Sequence, residues 1–328
     1  MGHADQVCPN FRFLEAKMVF SSLLNAMPGA VAQGLIWGIM AIGVYITFKV
    51  LDMADLSVDG TMCTGGAVCI AMLMKDKPMW FALLMAVIAG LLAGLATGVL
   101  HTVMGIPAIL AGILTQLGLY SVNLKIMGKS NVPINNQKYD LLVSLLNVRN
   151  VPIYKNSIFV VAIAVVVIIA VLYWFFGTEI GCSLRATGNN LDMSRAQGID
   201  TDLNKVLGLM ISNGIVAFAS ALLSQYQGFA DINMGRGAIV IGLAAVIIGG
   251  VVFDKIFHNF GLKLLAVAFG GIIYYVVLQV VIWLGFDTDL LKLLSAIVVA
   301  IFLAVPYIKG EYFVKAPVID EETAKEEA

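Results

Sequence analysis

Residues 78–124 contain no aspartate, glutamate, lysine or arginine, and this uncharged run restricts the fold more than any other part of the sequence. About 20 apolar helical residues cross a hydrocarbon layer of roughly 30 Å. The run is more than twice that length, so it predicts two membrane-spanning helices with a break between them. We place the break at Gly105-Ile106-Pro107, because glycine and proline both interrupt helices.

Composition extends this interpretation to the whole chain. Hydrophobic residues make up 60% of the sequence and charged residues 12%, whereas soluble domains carry roughly 25% charged residues. Long apolar runs recur along the chain, and the many short alternating segments that a barrel needs are missing from the sequence. We therefore predict an all-α polytopic membrane protein.

We expect about eight transmembrane helices plus short re-entrant or broken helices, arranged as two pseudo-repeat halves. An N-terminal segment at 1–27 precedes the first half at 28–176, and the first span is expected to begin near Pro28. A polar loop at 177–205 separates the first half from the second half at 206–308. The tail at 309–328 is charged and is expected to be solvated.

Several functions are disfavoured by what the sequence lacks. No basic patch is large enough to bind nucleic acid, and the four cysteines show neither a zinc spacing nor a disulfide pattern. Gly128-Lys129-Ser130 ends like a phosphate-binding loop, but position 123, where its first glycine would stand, is asparagine. We therefore expect no cofactor, metal or catalytic residue in this chain, and its energy must come from elsewhere.

Two polar segments resemble each other, one in each half. Residues 54–61 and 230–237 both place Asp or Asn beside Gly, and both lead into a short, Gly-rich apolar run. Paired, interrupted segments of this kind point to a transport site, because broken helices are tolerated at membrane depth only where they line a cavity or are buried in protein. Chance similarity between two Gly-rich loops is the alternative.

The candidate substrate pathway follows from this pattern. The residues that we expect the solute to pass are Asp59, Gly60, Thr61, Asn233 and Met234. Gln116 and Tyr226 are further candidates for its wall. For an isolated polar side chain in a span, a hydrogen bond between helices is the other explanation.

Two predicted spans carry a ridge of small residues at every fourth position. The ridges are Ala30, Gly34 and Gly38 in one span, and Ala86, Gly90, Gly94 and Gly98 in the other. Such ridges let helix backbones approach closely in lipid. The sequence leaves open whether the partner is another helix of this chain or a second subunit.

The polar loop between the halves has the pattern of a docking element. Residues 181–188 are rich in turn formers, and residues 189–198 are typical of one short amphipathic helix that Asn189 or Asn190 can cap. The helix would offer an apolar edge made of Leu191, Met193 and either Ala196 or Ile199. A short exposed helix with an apolar edge suits a cleft on another protein.

Three stretches resemble one family in order and spacing. Residues 184–199 resemble the coupling loop of the importer permeases that include the branched-chain amino acid and ribose systems. Residues 239–250 look like the Gly-rich motif of that family, and residues 55–60 are similar to its early Asp-Leu-Ser signature. The similarity extends from about Gln33 to Pro306, nearly the whole chain.

The resemblance implies the permease subunit of a binding-protein-dependent ATP-binding-cassette (ABC) importer in the bacterial cytoplasmic membrane. Its partners would be a second copy of the permease, two cytoplasmic ATPase subunits that hold ATP and Mg²⁺, and an extracytoplasmic substrate-binding lipoprotein. The solute would be a small polar molecule, and the subgroup that the chain resembles handles amino acids, tryptophan or tyrosine among them.

The resemblance also implies an orientation and a set of coupling residues. The loop at 177–205 and the C-terminus would lie in the cytoplasm and the N-terminus outside, which the distribution of Lys and Arg alone does not decide. The residues expected to contact the ATPase are Arg185, Thr187, Gly188, Asn189, Asn190, Met193, Ala196 and Gly198. The alternatives are an ion-coupled secondary transporter that binds its ion at Asp55 and Asp59, and a membrane-embedded enzyme.

Overall fold

The computed structural model describes residues 9–135, 139, 141–148, 156–253, 256–257, 259–284, 293–302 and 304. Helices make up most of these ranges. They are α1 (Pro9–Tyr45), α2 (Val58–Met74), α3 (Met79–Thr102), α4 (Ala108–Met127), α5 (Ser157–Phe176), α6 (Glu179–Asn189), α7 (Leu191–Ala196), α8 (Thr201–Gln227), α9 (Ala238–Phe253), α10 (Phe260–Trp283) and α11 (Leu293–Phe302). A π-helical turn, Ile46–Val50, extends α1, and a 3₁₀ turn lies at Leu145–Val148. The predicted tail at 309–328 lies outside the described residues.

Within the described ranges, six helices are long and apolar enough to cross a membrane. They are α1 over Asn25–Val50, α3, α4, α5, α8 and α10. The helices α2, α9 and α11 are apolar but only 10–17 residues long. The all-α polytopic class is therefore confirmed, whereas the predicted count of eight full spans is not.

The break in the long uncharged run lies where the sequence predicts it. Helix α3 ends at Thr102, and α4 begins directly after Pro107. Gly105 between them has a φ of +67°, which glycine adopts without steric cost. The first span covers Asn25–Val50 and therefore begins near Pro28 as predicted, although Pro28 itself lies inside the longer helix α1. Membrane helices tolerate an internal proline where neighbouring groups satisfy the freed carbonyl.

Both ridges of small residues pack within the chain. A Cβ atom on Gly38 would lie 3.0 Å from the Cα of Ala268, so α1 and α10 touch through their backbones. A Cβ atom on Gly98 would lie 3.0 Å from the Cα of Val206, so α3 packs against α8 in the same way. Of the two alternatives for these ridges, the structure shows packing inside one chain.

Helix α8 runs through the middle of the molecule, antiparallel to α1. The Tyr226 hydroxyl, near the end of α8, donates to the Gly29 carbonyl 3.2 Å away. The Ser212 hydroxyl, half-way along α8, donates to the Gly43 carbonyl 2.8 Å away, near the end of α1. Helix α8 contributes many fully buried residues, including polar ones.

The short helices α2 and α9 run in opposite directions. Helix α2 is parallel to α8. Thr61 donates to Asn213, and one to two turns further along both helices the Gly66 backbone N–H donates to the Ser220 hydroxyl oxygen. Helix α10 makes close backbone contacts with α1 and with α9, and in both pairs the contacts run in opposite order along the two helices. Helix α10 is therefore antiparallel to both α1 and α9. Helix α9 is therefore parallel to α1 and opposite to α2, the inverted relation that repeats in transporters show.

A two-stranded antiparallel sheet joins the halves on the side where α4 and α8 end. Strand β1 (Asn131–Pro133) follows α4 and pairs with β2 (Phe229–Asp231), which follows α8. No strand is among the elements expected from the sequence. Three-residue strands carry little local signal, and their pairing partner here is about a hundred residues away.

Candidate transport pathway and coupling surface

The polar segments that resemble each other in sequence meet in the structure through Asp59. Its carboxylate accepts hydrogen bonds from the backbone N–H of Gly237 at 2.9 Å and of Ile239 at 3.0 Å. The first N–H groups of a helix have no partner within the helix, and a negative charge there is stabilised by the helix dipole. An acidic residue in the first turn of α2 thus caps α9.

The start of α2 is capped by a second carboxylate, which is fully buried. Asp55 accepts from the Ser57 backbone N–H at 2.9 Å and from the Ser57 hydroxyl at 2.5 Å. Its other oxygen accepts from the side-chain amide of Asn213 at 2.8 Å. The Asn213 carbonyl oxygen in turn accepts from the Thr61 hydroxyl at 2.6 Å. We call Asp55, Ser57, Asp59, Thr61 and Asn213 the interior junction, because they fix the start of α2 to the centre of α8 and to the start of α9.

A small cavity lies beside the interior junction, between α2, α4 and the loop that leads into α9. Its volume is about 120 Å³, and it is lined by Asp59, Gly60, Cys63, Gln116, Leu117, Tyr120, Asn123, Ile232 and Arg236. We call it the α2–α4 cavity. A Cβ atom on Gly60 would lie 2.9 Å from the Cα of Gln116, so glycine is needed for α2 to approach α4. Three predicted pathway residues, Asp59, Gly60 and Gln116, line this cavity.

The other predicted pathway residues lie elsewhere. Thr61 is fully buried against α8 through its bond to Asn213. The sulfur of Met234 packs on Gly66, and Asn233 is exposed in the loop before α9. Tyr226 lines a separate cavity of about 350 Å³ with Gln33, Gln227 and Gln279. The structure therefore divides the predicted set between two cavities and the protein interior.

Sequence reasoning missed Arg236 and Tyr120, which both line the α2–α4 cavity. Arg236 is the only charged residue between Asp231 and Asp254 in the sequence, and it directly precedes an apolar helix. A charge within an otherwise uncharged membrane segment is a signal of function, and that signal was present. Tyr120 had no comparable signal, because one more aromatic residue in an apolar span is common.

The first part of the polar loop forms a helix where the sequence predicted turns. Arg185, Thr187, Gly188 and Asn189 belong to α6, which Thr178 caps by accepting from the N–H of Gly181 at 3.3 Å. Gly188 lies directly against the carbonyl of Val50, so this glycine permits close contact rather than a turn. The prediction that residues 181–188 form turns is wrong for this reason.

Helix α7 follows at once and is shorter than the helix predicted at 189–198. Asn190, and not Asn189, caps it by accepting from the N–H of Met193 at 2.9 Å. The helix ends at Ala196, and Gly198 follows with a φ of +79°. Leu191 and Met193 are 39% and 63% exposed, so the predicted apolar edge is uncovered in a single chain.

A groove of about 800 Å³ lies beside α6 and the π-helical turn after α1. Its charged residues include the cations Lys49, Arg185 and Lys263 and the anion Asp52. The Arg185 guanidinium lies 5.4 Å from the ring centre of Phe260, a cation–π contact that holds α6 against α10. The groove and the exposed edge of α7 together make a surface with both charge and apolar side chains, which we call the coupling surface.

The spans, the inverted short helices and the uncovered loop helix define a polytopic membrane transport protein. The family model described as the permease component of branched-chain amino acid transport systems matches residues 27–305. The chain therefore belongs to this family of ABC-importer permeases, whose members are transport components rather than enzymes, and it is a multi-pass protein of the bacterial cytoplasmic membrane.

Individual relatives agree with this assignment. The chain is 40% identical over 282 residues to a tyrosine transport system permease protein of Clostridioides difficile, covering 86% of this chain and 91% of that one. It is 34% identical over 294 residues to a protein of Rickettsia prowazekii, covering 88% and 99%. The autoinducer 2 import system permease of Yersinia pseudotuberculosis is 29% identical over 168 residues, covering 51% and 46%. No solved structure matches the chain.

Proposed function

We propose that this chain translocates a small polar solute, an amino acid of the aromatic type, that an extracytoplasmic binding protein delivers. Membership of the permease family and the similarity to a tyrosine transport permease support this substrate class. The observation that supports coupling to an ATPase is the exposed apolar edge of α7. Helix α7 lies in the segment that connects α5 to α8.

In this proposal the energy comes from two cytoplasmic ATPase subunits, which hold ATP and Mg²⁺. The loop at 177–205 and the tail at 309–328 lie on their side of the membrane, and the N-terminus lies on the other. Met193 and Ala196 enter a cleft of the ATPase, and the groove cations, Arg185 among them, face its surface. Helix α7 connects through Arg195, whose Nε donates to the Thr201 hydroxyl oxygen at 3.0 Å, to the start of α8.

The movement of α7 changes the access to the solute pathway. Helix α8 carries Asn213, and Asn213 holds the start of α2 through Asp55 and Thr61. A tilt of α8 therefore moves the broken segment, and with it the α2–α4 cavity beside Asp59. Coupling of this kind requires a contiguous element with two arrangements. The second copy of the permease completes the pore around the cavity.

The ion-coupled alternative assigns Asp55 and Asp59 to an ion. Both carboxylates already accept hydrogen bonds from protein groups: Asp55 from Ser57 and Asn213, and Asp59 from the start of α9. These bonds give both carboxylates a structural role that needs no ion. We therefore favour coupling to ATP.

Purification from the native membrane in mild detergent, followed by reconstitution, tests the proposal. We expect an ATPase subunit to co-purify with the tagged chain and uptake of L-tyrosine into proteoliposomes to require the binding protein and ATP. Uptake by the chain alone, driven by a sodium or proton gradient, would contradict it and support the secondary transporter.

A further inference from the structure

We propose that the α2–α4 cavity binds the carboxylate of the transported solute and that Arg236 is the group that binds it. This inference rests on the proposed transport of an amino acid and adds a selectivity step in the membrane subunit. Arginine suits this task, because its planar guanidinium bonds both oxygens of a carboxylate and keeps its charge at every physiological pH.

No carboxylate among the described residues pairs with the charge of Arg236. Asp59 lines the same cavity, but both of its oxygens accept from the backbone N–H groups of Gly237 and Ile239. Within the described ranges, one ion pair is found, between Arg195 and Asp202. No described carboxylate lies within 4.0 Å of the Arg236 guanidinium. Asp59 therefore offsets the positive end of α9, and the guanidinium of Arg236 remains for a ligand.

Arg236 is exposed in a single chain, and it lies at a depth where charges are rare in membrane proteins. The loop that carries it lies against the first turn of α2, which bonds at Thr61 to Asn213, the thirteenth residue of the 27-residue helix α8. Arg236 thus lies near half the depth of a full span. Charges at this depth are rare and belong to ion or substrate pathways or to buried pairs. The cavity shows no such pair, which favours a substrate pathway.

A second group in the cavity points independently to a ligand. Asn123 is fully buried, and its side-chain N–H₂ donates to the Gly60 carbonyl at 3.4 Å, which sets the orientation of the amide. Its Oδ1 atom has no hydrogen-bond partner within the described part of the chain. A buried acceptor without a partner costs about 1–3 kcal/mol. An ammonium group or another N–H donor would satisfy it.

The remaining lining fits the rest of an aromatic amino acid. Tyr120 is 45% exposed and lines the cavity with an aromatic ring, and Gln116 offers both a donor and an acceptor. The cavity of about 120 Å³ is smaller than the roughly 300 Å³ at which pockets for complete ligands begin. One copy therefore holds the head group, and the side chain of the solute extends from the cavity along Tyr120.

Charge-selective labelling tests the inference without nucleotide, ATPase or binding protein. The chain is purified in nanodiscs with its four native cysteines replaced by serine and with Gln116→Cys as the reporter. The rates of modification by an anionic and a cationic methanethiosulfonate are compared. We expect Arg236→Gln to lower the ratio of anionic to cationic rates about tenfold, Arg236→Lys to change it less, and Lys77→Gln, an exposed cation in the turn after α2, to leave it unchanged.

Protection of the same cysteine identifies the ligand class. L-Tyrosine should slow the labelling, whereas tyramine, which lacks the carboxylate, should not. Arg236→Gln should abolish this difference between the two compounds. The inference would be overturned if Arg236→Gln left the rate ratio unchanged. It would also be overturned if tyrosine and tyramine protected the cysteine equally, or if neither protected it. Because the assay needs no partner subunit, this failure is separate from loss of ATP-driven uptake, which would count against the proposed function.

Discussion

The interior junction and the coupling surface differ in which kind of side chain is buried and which is exposed. In the junction, polar side chains such as Asp55 and Asn213 are buried, and their polar atoms are bonded to the protein. On α7, apolar side chains such as Met193 are exposed, and no described segment covers them. In a membrane protein, buried polar groups with complete bonding stabilise the fold, whereas exposed apolar groups outside the spans are available to a partner.

The largest expected effect on stability is at Asn213. Its replacement by leucine, which has a similar volume, removes the donor to the second carboxylate oxygen of Asp55 and one acceptor of the Thr61 hydroxyl. We expect a loss of about 3 kcal/mol in the free energy of unfolding, because each buried polar group left unpaired costs about 1–3 kcal/mol. Unfolding in mixed micelles with increasing dodecyl sulfate measures it. If the variant unfolds like the wild type, the junction does not stabilise the fold.

Asp59→Ala tests the cap that joins the two broken segments. Two N–H groups at the start of α9 lose their acceptor, and we expect a loss of about 2 kcal/mol. Thermal unfolding in detergent measures the change. Asp76→Asn, at an exposed carboxylate in the turn after α2, is the matched control and should have no effect.

Met193→Asp and Ala196→Asp test the coupling surface. Both place a charge on the apolar edge of α7, and we expect affinity for the ATPase subunit and uptake to fall at least about tenfold, equivalent to roughly 1.4 kcal/mol. Thermal unfolding should not change, because neither residue is buried. Met104→Asp, at an exposed methionine in the α3–α4 turn, provides the control. Normal co-purification and uptake in both α7 variants would refute the docking role.

The smallest expected effect is at Asn190. Its replacement by alanine removes the cap of α7, which is worth about 1 kcal/mol. A six-residue helix has little stability of its own, so the docking edge should become less ordered and uptake should fall a few-fold. Asn190→Asp keeps the acceptor and should restore most of the uptake. Equal uptake in Asn190→Ala and Asn190→Asp would show that the cap does not limit coupling.

Much of the fold could be predicted because the signals are local. Apolar length locates the long spans, the Gly105–Pro107 break separates α3 from α4, and Asn190 carries the capping signal for α7. The two similar polar segments located the broken helices in the right places. The count of full spans was not confirmed, because α2 and α9 begin inside the protein, where packing rather than lipid thickness sets helix length.

The candidate site could be predicted only in part. The sequence put Asp59, Gly60 and Gln116 near the pathway, and these residues do line one cavity. It did not show that Thr61 points to α8, that Tyr226 lies in another cavity, or that Arg236 stands beside Asp59. One residue along a helix turns a side chain by about 100°, so a pattern that locates a segment does not say which face meets which neighbour.

The amino-acid sequence by itself determined the membrane class, the positions of the long helices and the family, because these depend on hydrophobic length and on short motifs. The tertiary structure alone decided that Asp59 caps a helix 178 residues further along the chain, that residues 181–188 are helical, and that Arg236 has no carboxylate partner in the described part of the chain. Those features depend on contacts between distant segments, whose geometry follows from the packing of the whole chain rather than from any local pattern.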